Sequence, residues 1–195
     1  MPAKGDHEAR RADVAEAVWR VLASHGFGGL TMRAVAAELG ASTGLLTHYF
    51  AGKRELVRYA HEVAAERTDT RPLMKAEAPG LAALRVALLN VLPITPESAA
   101  MSRVWVSFWD AALGDESLSE AQRTRYERWR GRLREYVEEA RQRGELASDA
   151  TPADVAVEAA AFAHGLVVQA LFDPERLPAD RQLTLLDNFM AGLTR

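Results

Sequence analysis

The sequence predicts an all-α fold, and three observations predict it. Apolar residues recur at helical spacing along nearly all of the 195 residues. No run of alternating β-branched residues bounded by turn residues reads as a strand. Pro79, Pro93, Pro96, Pro152, Pro174 and Pro178 fall at or near the ends of the periodic segments, where a missing N–H does least harm. The expected architecture is an N-terminal three-helix head with a helix-turn-helix, residues 1–52, followed by a larger helical domain, residues 53–195, with about nine helices in all.

Val14, Val18, Val21 and Leu22 form one stripe of a first helix that stops near His25-Gly26, where glycine suits the left-handed C′ position. Thr31 is placed to cap a short helix with Met32, Val35, Ala36 and Leu39 on one face, ended by Gly40. After Gly40-Ala41-Ser42 the chain re-enters helix, with Ser42 as the expected cap, Leu46 and Phe50 turned inward, and Gly52 as the break. Lys53 to about Arg71 reads as a longer helix carrying Leu56, Tyr59, Ala60, Val63 and Ala64, ended by Pro72. Further helices are expected at 79–91, 97–113, 118–143, 153–172 and 179–193. The Arg/Glu-rich run from Arg123 to Arg143 suits a solvated face with i, i+4 ion pairs.

Composition narrows the function classes. The chain of 21.4 kDa is 48% apolar and 26% charged, as ordinary globular proteins are. It has no cysteine, which excludes disulfides, thiol catalysis and Cys-ligated zinc. The most apolar stretch, Val155 to Phe172, contains Glu158 and His164, and the N-terminus lacks the apolar core of a signal peptide. A soluble, cytoplasmic protein without a membrane partner is expected. The net charge of −3 is unevenly spread: residues 1–60 carry 8 basic against 6 acidic residues, and residues 61–195 carry 16 against 21. Only the N-terminal end has a charge balance suited to a polyanion.

The informative segment is TMRAVAAELGASTGLLTHYFAGK, Thr31 to Lys53. Two short helices joined by a glycine-containing turn satisfy the helix-turn-helix description, in which the second helix enters the major groove. That second helix offers hydroxyls and rings opposite Leu46 and Phe50. Its Gly44 costs about 1 kcal/mol relative to alanine in a helix but lets the backbone approach a partner surface closely. Each residue also has a plainer role: Thr31 and Ser42 as caps, Tyr49 as a half-buried core ring, His48 and Lys53 as ordinary surface groups.

The segment resembles the TetR family of transcriptional regulators. Gly26 with Thr31, Val35-Ala36, Leu39-Gly40, Ser42, Gly44, His48-Tyr49-Phe50 and Lys53 carry the resemblance, which covers residues 10–57. STGLLTHYF is most similar to the BetI-type branch, named for control of choline and glycine betaine metabolism. Ser98-Ala99-Ala100-Met101 with Trp105, Phe108 and Trp109 is similar to that branch's regulatory domain. The resemblance implies that Thr43, Thr47, His48 and Tyr49 face DNA and that Lys53 touches phosphate. Hydroxyls and lysines are usual phosphate partners, which position a protein without reading sequence. Gly44, Leu45 and Thr47 would discriminate bases, with apolar contact to thymine methyls and single hydroxyl bonds. Thr31, Arg33 and Ser42 complete the expected DNA-facing set.

For the remainder, the resemblance implies a ligand cavity and a dimer interface. Trp105, Phe108, Trp109 and Ala112 share one helix face, and Tyr126, Trp129, Leu133, Tyr136 and Val137 share another. These rings either fill a core or line a cavity suited to an apolar or cationic molecule, because aromatic faces attract quaternary ammonium groups. The expected ligand-binding set is Trp105, Phe108, Trp109, Tyr126, Trp129, Phe162, His164 and Gln169. Helix 153–172, rich in alanine and Gly165, and helix 179–193, with Leu183, Leu186, Met190 and Leu193 in one stripe, are expected to pair with a second copy or to cap the monomer core.

No enzyme signature is complete. His61-Glu62 begins a zinc-protease motif, but Ala65 stands where the second histidine belongs. Gly26-Phe27-Gly28-Gly29 has Thr31 in place of the last glycine of a dinucleotide fingerprint. No catalytic residue, metal or cofactor is expected. The leading expectation is a homodimeric repressor of a pseudo-palindromic operator, released by a small molecule in the C-terminal domain, with the fourth helix as coupling element. The alternatives are a small helical enzyme with an aromatic active-site cavity and a helical protein-interaction module.

Overall fold

In the computed structural model, which describes residues 4–147 and 150–194 and side chains from residue 10 onward, helical periodicity resolves into nine α-helices and no strand among the described residues. They are α1 (Lys4–His25), α2 (Met32–Leu39), α3 (Thr43–Leu46), α4 (Lys53–Thr70), α5 (Leu81–Leu89), α6 (Pro96–Leu113), α7 (Glu116–Gln142), α8 (Pro152–Phe172) and α9 (Ala179–Leu193). The chain forms two compact units. One holds the residues up to Arg71 together with Arg103–Leu118, and the other holds Pro72–Ser102 together with the residues from Ser119 on. These units do not follow the expected division between residues 52 and 53.

Burial explains the composition of the first unit. Val14, Val18, Val21 and Leu22 of α1 are buried with Val35 and Ala36 of α2 and Leu56, Ala60, Val63 and Ala64 of α4. Arg20 of α1 holds the Glu38 carboxylate of α2, and Arg67 of α4 pairs with Glu16 of α1 while lying 4.7 Å from the Trp19 ring centroid. The C-terminal half of α6 joins because Phe108 packs its ring 4.9 Å from Phe27 and 4.7 Å from His61. Ser107 Oγ also accepts a bond from the Phe27 N–H at 3.0 Å, just beyond Gly26, whose φ of 62° closes α1 in the left-handed conformation.

In the second unit Leu84, Leu88, Leu133, Val137 and Leu186 are fully buried. The eight buried residues of α8 (Val155, Ala156, Ala159, Ala160, Ala163, Leu166, Val167, Ala170) are mostly small, so neighbouring helices approach closely. By length and composition alone α8 is apolar enough to cross a membrane, but this face is taken up by packing within the unit. Arg85 of α5 bonds Asp187 of α9 at 2.7 Å, and Phe162 of α8 stacks on Phe189 of α9 with ring centroids 4.5 Å apart. Glu145 accepts the Leu81 N–H at 2.8 Å, capping α5, and this bond is the first cause of its lowered pKa.

Candidate functional site

The turn between α2 and α3 is built from local signals. Thr31 is extended (φ −137°, ψ 156°) and its Oγ1 accepts the Ala34 N–H at 3.0 Å, so it caps α2 as expected. Gly40 takes φ 63°, and bonds from the Gly40 N–H to Ala37 O and from the Ala41 N–H to Ala36 O satisfy the last carbonyls of α2.

Two expectations need correction. Ser42 occupies the N-cap position of α3 but makes no side-chain cap bond, because the turn is closed by the backbone instead, through the Leu45 N–H and the Ser42 carbonyl at 3.1 Å. Ser42 is exposed, and its hydroxyl makes no hydrogen bond among the described residues. The helix itself is only four residues long. His48 and Tyr49 donate to carbonyls three residues back, and Thr47 Oγ1 donates to the Gly44 carbonyl at 2.7 Å, which tightens the chain into turn before Phe50.

The outcome is a segment with two distinct sides. Leu46 and Phe50 are buried, Phe50 with its ring 5.2 Å from Tyr59. Thr31, Arg33, Ser42, Thr43, Gly44, Thr47, His48 and Lys53 are exposed, while Leu45 and Tyr49 are half-buried. Thr47 spends its proton on its own backbone, so what it turns outward is an acceptor lone pair and a methyl group. Lys53 is the first residue of α4, beyond the Gly52 N-cap, and Glu55 steadies that helix start by accepting the Ala51 N–H at 2.7 Å. An open hollow of about 740 Å³ in the first unit is bounded by Lys53, Arg54, Val57, Arg58, Ala111 and Leu118. Arg54 pairs there with Asp115 at 3.3 Å, whose carboxyl is held below its ordinary range first by the Ser117 hydroxyl and then by the Leu118 N–H.

The rings expected to hold a ligand are sorted between the two units. Trp105 and Phe108 belong to the first. Phe108 is fully buried, and Trp105 is 8% exposed, with its ring 5.7 Å from His61 and its Nε1 donating to Thr68 Oγ1 at 3.0 Å. Trp109, half-buried, lies in the same unit. Tyr126, Trp129 and His164 come together in the second unit, with His164 5.2 Å from the Tyr126 ring centroid and 4.8 Å from that of Trp129. Phe162 is occupied with Phe189, and Gln169 is exposed. Burial, followed by the Arg125 and Arg130 guanidinium groups, pushes the His164 pKa down to about 4. Sequence reasoning passed over Gln122, Arg125 and Arg130. Gln122 stands four residues before Tyr126 on the same stripe, so its spacing was the signal.

Two family models match the chain. "Bacterial regulatory proteins, tetR family" covers residues 14–60, and "BetI-type transcriptional repressor, C-terminal" covers residues 80–195. The chain belongs to the TetR family of transcriptional regulators. It is 30% identical over 185 residues to the transcriptional regulator PksA of Bacillus subtilis, covering 93% of this chain and 88% of that one. It is 30% identical over 137 residues to BetI of Burkholderia mallei, covering 68% and 70% of the two chains. Its fold matches that of a transcriptional regulator from Saccharomonospora viridis solved in complex with choline, with a TM-score of 0.80 at 21% identity over 95% and 96% of the two chains. As a TetR-family member the chain is a DNA-binding transcriptional regulator, not an enzyme.

Proposed function

We propose that the chain represses transcription as a homodimer whose two heads occupy adjacent major grooves of a pseudo-palindromic operator, and that a small molecule in residues 53–195 releases it. The observation that carries this reading is the two-sided segment from Ser42 to Phe50. Its apolar residues are consumed by the core, while Ser42, Thr43, Gly44, Thr47 and His48 form a contiguous exposed surface with Lys53 following. Lysine and hydroxyl contacts to phosphate would fix register, and the Thr47 methyl with Leu45 would meet thymine methyls. Such a protein works in the cytoplasm, where its operator is.

The second copy is supported by α8. Val157 (51% exposed), Ala161, Gly165 and Phe172 (82% exposed) lie on its outer face, an apolar strip of a kind that isologous dimers cover. For the effector, the ring cluster of Tyr126, Trp129 and His164 supports an aromatic or cationic ligand. Release would follow from tighter binding of that ligand to an arrangement whose heads do not match the half-sites.

Gel retardation on the DNA upstream of the neighbouring genes tests the reading. Thr47→Ala should weaken binding to the operator selectively. Lys53→Ala should weaken binding to all sequences and lower the slope of affinity against salt by about one ion per contact. Wild-type affinity in both variants across salt concentrations would refute the assigned contacts.

A further inference from the structure

The hollow beside the start of α4 combines an apolar floor with a basic rim. Its volume of about 740 Å³ falls within the range of small-molecule sites, about 300–1,000 Å³. Leu118 is buried and Val57 and Ala111 are half-buried, which makes the floor. On the rim Lys53, Arg54 and Arg58 outnumber Glu55 and Asp115. Both carboxylates are committed to the backbone. Glu55 accepts the Ala51 N–H at 2.7 Å, and Asp115 Oδ1 accepts the Ser117 N–H at 3.0 Å, the Ser117 hydroxyl at 2.7 Å and the Leu118 N–H at 3.3 Å. Arg58 lies between Glu55 and Glu62, at 3.7 and 3.9 Å. Arg54 brings Nε to 3.3 Å from Asp115, but neither its side chain nor that of Lys53 makes a hydrogen bond among the described residues. Two cationic donors thus stand over apolar surface with acceptor capacity lacking on the protein side.

We propose that this hollow is a second ligand site, within the first unit, and that it takes an amphipathic carboxylate. The apolar body of the ligand lies on Val57, Ala111 and Leu118, where it leaves water. Its carboxylate accepts from Arg54 and Lys53, a pairing to which the guanidinium fork is shaped. A cation with the same body would meet the excess positive charge, and an alcohol would bring no charge for the two donors to pair. The consequence for DNA rests on the placement of Lys53 at operator phosphate. Because Lys53 serves both the carboxylate and the phosphate, ligand and operator compete for it. The site thereby weakens DNA binding directly, without the change of arrangement that an effector elsewhere in the chain requires.

Titration calorimetry of the full chain with octanoate, octylamine, 1-octanol and acetate tests the site. Wild type should bind octanoate about tenfold more tightly than octanol or octylamine, as one charge-assisted hydrogen bond dictates, and acetate more weakly than any of them. Arg54→Gln should lower octanoate affinity about tenfold without disturbing the fold, since that side chain is 92% exposed and Asp115 keeps its backbone partners. Ala111→Phe, which fills the hollow from its floor, should lower it at least as much, with an unchanged Tm marking the variant as folded. Octanol that binds as tightly as octanoate, octanoate affinity unchanged by Arg54→Gln or by a folded Ala111→Phe, or no binding of octanoate would overturn the site. Gel retardation tests the competition. Octanoate should weaken operator binding by wild type and not by Ala111→Phe, and unchanged retardation with octanoate bound would overturn it. Lys53→Ala without octanoate separates the two readings. If it weakens retardation while octanoate fails to bind, only the hollow is wrong; if it leaves retardation unchanged while octanoate binds with the expected pattern, the phosphate placement fails instead.

Discussion

Gly44→Ala separates recognition from folding. Gly44 lies in α3 without a positive φ, and a Cβ built on it would meet only Ser42 Oγ at 3.6 Å, an ordinary contact. Nothing among the described residues of the first unit therefore requires glycine at this position, although glycine leaves the unfolded chain more conformational freedom than alanine does. The substitution should stabilise the protein by about 0.4–1 kcal/mol, which for a chain of this size raises Tm by about 1–4 °C. On the DNA side the added carbon moves the surface outward by about 1.5 Å at the point where the backbone is expected to approach the duplex. Losing one fitted contact in each half-site costs about 1–3 kcal/mol per site, so operator affinity should fall at least about tenfold. Thermal denaturation and gel retardation of the same preparation measure the two effects. A variant that is destabilised, or that is stabilised and still binds operator like wild type, would refute the reasoning.

Three further predictions concern other parts of the chain. Gly40→Ala should destabilise by about 1–2 kcal/mol, because φ of 63° is left-handed while a Cβ there would meet nothing within 4 Å; denaturant titration checks it. His164 has a folded pKa of about 4 against an ordinary 6.5, so between those values the unfolded chain holds a proton that the folded chain does not. Stability should therefore fall as pH drops through 6.5 and level off below about 4, by about 3 kcal/mol in total, and His164→Gln should remove that part of the slope in acid denaturation. Phe172→Asp on the outer face of α8 should leave the monomer folded, as its ring is 82% exposed, but shift sedimentation at micromolar concentration from dimer to monomer and abolish operator retardation.

Most helix positions were legible because their end signals are local. Thr31 caps α2, Gly26 and Gly40 adopt the left-handed conformation at helix ends, and Pro152 opens α8. The length of α3 was not legible. Leu46 and Phe50 are both buried and four residues apart, as in a helix, yet the Thr47 hydroxyl bond to Gly44 and the three-residue backbone bonds end the helix early. The exposed side of the Ser42 to Phe50 segment was legible, since burying Leu46 and Phe50 leaves the hydroxyls nowhere else to point. The rings were legible as faces but not as partners. Spacing puts Trp105 and Phe108 on one side of α6 but does not say that Phe27 and His61 meet them, contacts 81 and 47 residues away from Phe108 in sequence. Gln122 was passed over because it is polar within a stripe otherwise read for apolar side chains, although its distance of four residues from Tyr126 marks it.

Hydroxyl-radical footprinting of the operator tests the central claim most directly. Two symmetric protected patches, centred about one helical turn or a whole multiple of it apart, are predicted, with both patches weakened by Thr47→Ala. A single unsymmetric patch, or protection that the Thr47 substitution leaves unchanged, would contradict the account.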